Sequence, residues 1–237
     1  MNILITGASR GIGHELTRIF AAMGGHTIVA VSRNLDKLEQ LARNCNGNYP
    51  SSVVVPLRFD LSDSASIEPS LAEAILHTVP GVDILVNNAG LLVNRPFMET
   101  ELPELEKMIR VNYYGPALII RALLPFMGKM GRGHVVNISS MGGVQGSAKF
   151  AGLAGYSASK SALATLTECL AEELKERNVS FNCVALGAVQ TEMLQEAFPG
   201  YNASITPEEL APHLASFCIN GMHYCNGKIL PFSLSTP

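Results

Sequence analysis

Tyr156 and Lys160 stand four residues apart in the stretch GYSASKSAL, among small side chains. On a helix that spacing is about one turn, so the phenol and the ammonium share a face with their head groups in reach. A phenol has a pKa of about 10, and a neighbouring cation stabilises its phenolate and moves the value toward working pH. Such a pair suits proton transfer to or from the oxygen of a carbonyl or alcohol. The same letters also describe a half-buried tyrosine beside a solvated lysine, so the rest of the chain has to decide.

A second constellation lies near the N-terminus, in TGASRGIGHEL. Gly7, Gly11 and Gly13 follow an apolar run and lead into a helical pattern, and Ser9, Arg10 and Ile12 fill the turn between them. Glycines at a strand-to-helix turn let backbone approach a pyrophosphate, whose charge is favoured by unpaired N–H groups at the helix start. A tight turn without any ligand gives the same glycines, but this position directly after the first strand is the informative one. An acidic residue at the end of the second strand would hold an adenosine ribose, and none stands in VAVSRNLDKL. Ser32 and Arg33 are there instead. With Arg10 they offer charge-assisted hydrogen bonds to a 2′-phosphate, which favours NADP(H) over NAD. The plain alternative is two surface arginines.

These residues need a frame. Short β-branched runs alternate with longer amphipathic stretches: NILIT, a helix over 11–23, TIVAVS, a helix over 34–44, SVVVPLRF, a helix over 64–78, and VDILVNN. The rhythm continues with a helix over 103–128, HVVNIS, a helix over 155–177, VSFNCVAL, a helix after Thr206 and GKILPFS. Asp63 or Ser64 is the candidate N-cap of the helix over 64–78. Seven nearly continuous apolar strands separated by helices predict an α/β fold: a doubly wound, Rossmann-like parallel sheet with helices on both faces, as a single domain over residues 1–237. In such a sheet, ligands bind beyond the carboxyl ends of the strands near the switch in strand order.

Composition narrows the function classes. The chain is 47% hydrophobic and 16% charged with a net charge of −3, which builds a sizeable core and gives no basic footprint for nucleic acid. Five cysteines without a CxxC pair suggest neither a disulfide framework nor a zinc site, so a reducing, cytoplasmic setting is expected. The N-terminal apolar run is too short for a signal-peptide core and no run of about 18 apolar residues occurs, so no leader and no membrane span is expected. The histidines show no HExxH or His/Cys spacing, and no metal is expected.

Taken together, Gly7-x-x-x-Gly11-x-Gly13, Asp60 in RFDLSD, NNAG at Asn87 to Gly90, Asn112 in VNYYG, Ser139-Ser140 and Tyr156-x-x-x-Lys160 resemble the short-chain dehydrogenase/reductase family over nearly the whole chain. The resemblance implies that Asp60 and Leu61 contact the adenine, that Asn88, Ala89 and Gly90 line the cofactor cleft, and that Gly187, Val189 and Thr191 lie toward the nicotinamide. It implies Tyr156 as acid and base, Lys160 on the nicotinamide ribose, Ser140 on the substrate oxygen, and Asn112 holding a water that passes protons to Lys160. Ser139 is then structural or a nearby donor. A homodimer or homotetramer is implied as well.

Three departures from the family pattern stand out. Ser140 and Tyr156 are further apart than is usual in much of the family, and the GGVQG insert between them resembles carbonyl reductases similar to the developmental C-factor. Leu186-Gly187 stands where Pro-Gly is common, and LPFSLSTP replaces a common DGG. The insert is expected to form a mobile substrate wall, with its glycines supplying freedom and Phe150 and Leu153 supplying contact. Leu92, Val93, Met141, Val144, Leu186, Met193 and Phe198 are further candidate pocket residues. A fairly apolar carbonyl or alcohol substrate is expected. The competing reading, an NADP(H)-binding regulator acting through a protein partner, has no need of Asn112, Ser140, Tyr156 and Lys160 together. Sugar-nucleotide epimerases share Tyr-x-x-x-Lys but resemble longer chains.

Overall fold

Alternate residues of the strands feed two separate cores. Ile3, Ile5, Ile28, Ala30, Ile84, Val86, Val136 and Ile138 belong to one, while Leu4, Val29, Val31, Leu85, Val135 and Phe181 belong to the other. That is the period of two expected when a sheet is covered on both faces. The structure, a computed structural model, describes residues 1–129 and 131–234. The last three residues of the LPFSLSTP stretch, 235–237, lie outside the described residues.

The strands are β1 (Asn2–Thr6), β2 (Thr27–Ser32), β3 (Val53–Arg58), β4 (Ile84–Asn87), β5 (Gly133–Ser140), β6 (Val179–Leu186) and β7 (Lys228–Phe232). They form one parallel sheet in the order β3-β2-β1-β4-β5-β6-β7. This is the expected doubly wound fold. Strand order reverses between β1 and β4, so a crevice opens beyond their carboxyl ends. Helices α1 (Gly11–Met23), α2 (Leu35–Asn48) and α8 (Pro207–Asn220) cover one face. The other face is covered by α3 (Glu73–Thr78), α5 (Gly115–Leu123) and α6 (Ala154–Glu173), and α4 (Leu102–Ile109) packs on α6. Helix α8 starts on a reciprocal capping box between Thr206 and Glu209.

Two of the expected helices are not continuous. The stretch over 64–78 is a short 3₁₀ turn, then a π-helical stretch over Ile67–Ala72, then α3, and neither Asp63 nor Ser64 caps it with a side chain. Pro69 has no N–H to give the preceding turn. The stretch over 103–128 divides into α4, a π-helical stretch over Arg110–Tyr114, α5, and a 3₁₀ turn over Leu124–Phe126. There Gly115 donates to the Arg110 carbonyl, five residues back, and Pro116 cannot donate to the Asn112 carbonyl four residues back. The widened turn at Asn112 belongs to the site, as such turns often do. A short helix, α7 (Glu192–Ala197), lies between β6 and α8 and was not foreseen in the sequence pattern.

Candidate active site

The glycine turn after β1 is held by backbone and by its neighbours. Gly7 has φ of 72°, and a Cβ there would sit 2.8 Å from Ala89 Cα; a Cβ on Gly13 would sit 2.5 Å from both the Gly7 carbonyl oxygen and Asn88 Nδ2. Any side chain at either position would push the turn off β4. Asn88 clamps the same join by donating from Nδ2 to the Thr6 carbonyl at 2.9 Å, and Thr6 Oγ1 accepts from the N–H groups of Asn88 and Ala89 at 3.1 and 3.0 Å. Thr6 is a supporting residue the sequence pattern did not single out. The turn leads into α1 with no side-chain cap and no acidic residue in its first turn. Its first N–H groups therefore remain available to an anion.

The cleft that begins at this turn, about 1160 Å³ in volume, runs between the carboxyl ends of the strands. Gly7, Ser9, Arg10, Gly11, Ile12, Ser32, Arg33, Asp60, Leu61, Asn88, Ala89, Gly90, Ser140, Tyr156, Lys160, Gly187, Val189 and Thr191 all line it. Gly13 supports the turn from behind. At the far end of the turn Arg10 is paired with the Glu196 carboxylate on α7, an ion pair that sequence spacing could not reveal. Asp60 accepts from the N–H and hydroxyl of Ser62 at 2.9 Å each. Burial pushes the Asp60 carboxyl up, but those hydrogen bonds and the charge of Arg33 outweigh it and hold it below its ordinary value. Thr191 caps α7, accepting from the Leu194 N–H at 3.2 Å.

The chemical groups converge at the middle of the cleft. Ser140 ends β5, and Tyr156 and Lys160 lie one turn apart near the start of α6. The Tyr156 phenol faces Ser140, which pulls its pKa down, and Ser140 Oγ accepts from the Gly142 N–H at 3.2 Å. Lys160 is buried and donates from Nζ to the Ile138 carbonyl at 2.8 Å, with Nζ 6.0 Å from the centre of the Tyr156 ring. Asn112 is fully buried and binds Leu91 through both ends of its amide; its Nδ2 also donates to Ser159 Oγ, which in turn donates to the Tyr156 carbonyl. A Cβ on Gly90 would lie 3.4 Å from Lys160 Nζ and 3.6 Å from Asn112 Oδ1, so these two side chains meet beside Gly90. Ser139 points away from this group and donates to the Lys160 carbonyl at 2.9 Å, which ties α6 to β5.

Electrostatics correct one expectation. Burial pushes the Tyr156 phenol up to about 12, against the pull of the Ser140 hydrogen bond. Burial also pushes Lys160 down to about 8. Desolvation disfavours both charged forms, and here it outweighs the expected lowering of the phenol by the ammonium. Burial thus holds both the phenol and the ammonium toward their neutral forms.

One end of the cleft is apolar. Leu92, Met141, Phe150, Leu153, Leu186, Met193 and Phe198 line the cleft together with Tyr201, while Val93 and Val144 do not. Tyr201 had no motif to mark it. The loop after Ser140 differs in part from expectation: Gly142 and Gly143 are buried, and a Cβ on Gly143 would sit 2.8 Å from the backbone of Lys160 and Ser161. Those two glycines permit close packing on α6; only Gly146 and Gly152 in the loop have positive φ. Among the described residues no helix is long and apolar enough to cross a membrane.

Comparison with known proteins bears on the same cleft. The family model for short chain dehydrogenases matches residues 1–202. The chain belongs to the short chain dehydrogenase family. This short chain dehydrogenase is 34% identical over 193 residues to the mouse protein named dehydrogenase/reductase SDR family member 7B, covering 81% of this chain and 58% of the relative. It is 32% identical over 211 residues to a fatty acyl-CoA reductase of Acinetobacter baylyi, covering 88% of this chain and 69% of that one. The chain spans 58% and 61% of the length of its mouse and fly relatives. Among solved structures, a short chain dehydrogenase from Shigella flexneri complexed with NADP is 30% identical with a TM-score of 0.87, covering 97% of this chain and 95% of that one. L-sorbose reductase from Gluconobacter frateurii, complexed with NADPH and L-sorbose, is 25% identical with a TM-score of 0.87 and covers 99% and 95%.

Proposed function

We propose that this chain is an NADP(H)-dependent oxidoreductase that reduces an apolar ketone or aldehyde, or oxidises the matching alcohol, with Tyr156 as the general acid and base. The observation that carries the reading is the grouping of Ser140, Tyr156 and Lys160 within the cleft that starts at the uncapped end of α1. The residues present fit the cofactor. The open N–H groups of α1 suit a pyrophosphate, and no carboxylate stands at the end of β2 to oppose a 2′-phosphate. Solved relatives bound to NADP and NADPH support the same choice.

When bound, the reduced nicotinamide supplies the hydride, which no side chain of the protein can donate. Ser140 hydrogen-bonds the substrate oxygen and orients it toward the phenol. Tyr156, with its pKa near 12, remains protonated at working pH and gives its proton to that oxygen as charge develops. Lys160 would hold the ribose hydroxyls, and a water held by Asn112 beside Gly90 would supply the proton that returns through Lys160 to Tyr156. In alcohol oxidation the same groups run in reverse.

The apolar wall of Met141, Leu153, Leu186, Met193 and Phe198 favours an apolar carbonyl substrate over a sugar. We read residues 1–237 as one domain working as a homodimer or homotetramer in a reducing, cytoplasmic setting. Five free cysteines support the setting, and the exposed side chains of Phe97, Met98 and Leu102 supply apolar surface for association. An NADP(H) sensor would not require the Ser140–Tyr156–Lys160–Asn112 grouping.

Turnover of NADPH against carbonyl compounds graded from ketoses to long-chain aldehydes and aryl ketones tests the reading. Consumption should be fastest with the apolar members and slower with NADH. Tight NADPH binding without turnover of any carbonyl would favour the sensor instead.

A further inference from the structure

The adenosine end of the cleft carries a cation that the sequence pattern passed over. Arg10 is engaged there: two of its guanidinium nitrogens meet the two oxygens of Glu196, and the hydrogen bond from Arg10 holds the Glu196 carboxyl below its ordinary value. Arg33, Lys37 and Arg58 line the same end of the cleft, are exposed, and among the described residues form no ion pair. Arg58 is the last residue of β3 and lies in register with Ser32, the last residue of β2. Neighbouring strands are about 4.8 Å apart, and register partners in a parallel pair send their side chains to the same face. Ser32 Oγ accepts from the Asn34 N–H at 3.1 Å, and Asn34 caps α2, so the backbone on both sides of Arg33 is pinned. The acids on the cleft lining are Asp36, Asp60 and Glu192, and Asp60 already accepts twice from Ser62.

We propose that Arg58, with Arg33, forms the subsite that holds the cofactor's 2′-phosphate, while Arg10 stays with Glu196. The inference rests on the NADP(H) reading above and assigns its specificity to a residue on β3. Two planar guanidinium groups, one on the last residue of β3 and one just past the end of β2, present several fixed donors to one dianion, a match that lysine makes less well. Arg58 lies far from the glycine turn and from Arg33 in sequence; strand register alone brings it to the site.

Titration calorimetry on the full chain with NADPH, NADH and 2′-AMP tests this. In wild type NADPH should bind more tightly than NADH. Arg58→Ala should weaken NADPH and 2′-AMP by about tenfold or more and leave NADH within about twofold, since one charge-assisted hydrogen bond is lost and only the phosphate felt it. Arg58→Lys should recover part of the loss, and Arg10→Ala should cost less than Arg58→Ala. Unchanged NADH affinity in the variant also reports an intact fold. If wild type binds NADPH no more tightly than NADH, the cofactor reading fails and this proposal with it. If wild type prefers NADPH and the preference survives Arg58→Ala, or Arg10→Ala costs as much, the proposal alone is wrong.

Discussion

Asn112 holds Leu91 at both ends of its amide: Oδ1 accepts from the Leu91 N–H at 2.7 Å, and Nδ2 donates to the Leu91 carbonyl at 2.8 Å. This is the pairing of a short sheet ladder made by one side chain. It fastens the loop after β4, which carries Gly90, to the widened helical turn between α4 and α5. Asn112→Ala would leave Leu91 and Ser159 without these partners in a buried setting, at a cost of about 1–3 kcal/mol. Urea unfolding should show that loss together with slower turnover. A variant as stable as wild type would mean the clamp contributes nothing.

Lys160 couples the site to pH. Burial lowers it from 10.5 to about 8, so between those values the unfolded chain binds the proton and the folded chain does not. Stability from this group therefore rises with pH across that window. Tyr156, raised from 10.0 to about 12, acts in the opposite direction only above pH 10. The unfolding midpoint of wild type relative to Lys160→Met should accordingly shift in favour of wild type between pH 8 and pH 10. A flat or falling difference would show that Lys160 keeps its ordinary pKa in the folded chain.

Phe150 is 40% exposed and lines the apolar end of the cleft, on the loop between Ser140 and Tyr156. Burying an aromatic side chain against an apolar ligand contributes about 1.5–3 kcal/mol, so Phe150→Ala should raise KM for an apolar carbonyl by about tenfold or more. NADPH dissociation and thermal stability should stay as in wild type. An unchanged KM would make this loop scaffold.

The sheet was legible because each strand obeys one local rule, an apolar run bounded by turn residues, which in the inner strands is buried on both faces. Tyr156, Lys160, Asn112 and the glycines were legible because their spacing is local or their types are unusual where they stand. What escaped the sequence depends on distant partners. The π-helical turn at Asn112 reflects Pro116 together with packing on α6, and a period of 3.6 reads straight through it. The pairing of Arg10 with Glu196 joins residues brought together only by α7, and Arg58 meets Ser32 only through strand register. The upward shift of the Tyr156 phenol is a matter of burial, which spacing does not encode.

The central claim is that Tyr156 delivers the proton, and single-turnover hydride transfer compares wild type with Tyr156→Phe most directly. With an apolar carbonyl that wild type reduces, and with the NADPH dissociation constant measured in parallel, the variant should transfer hydride about 10²–10⁴-fold more slowly while binding NADPH nearly as well. Transfer at close to the wild-type rate would contradict the account and leave Tyr156 a structural residue.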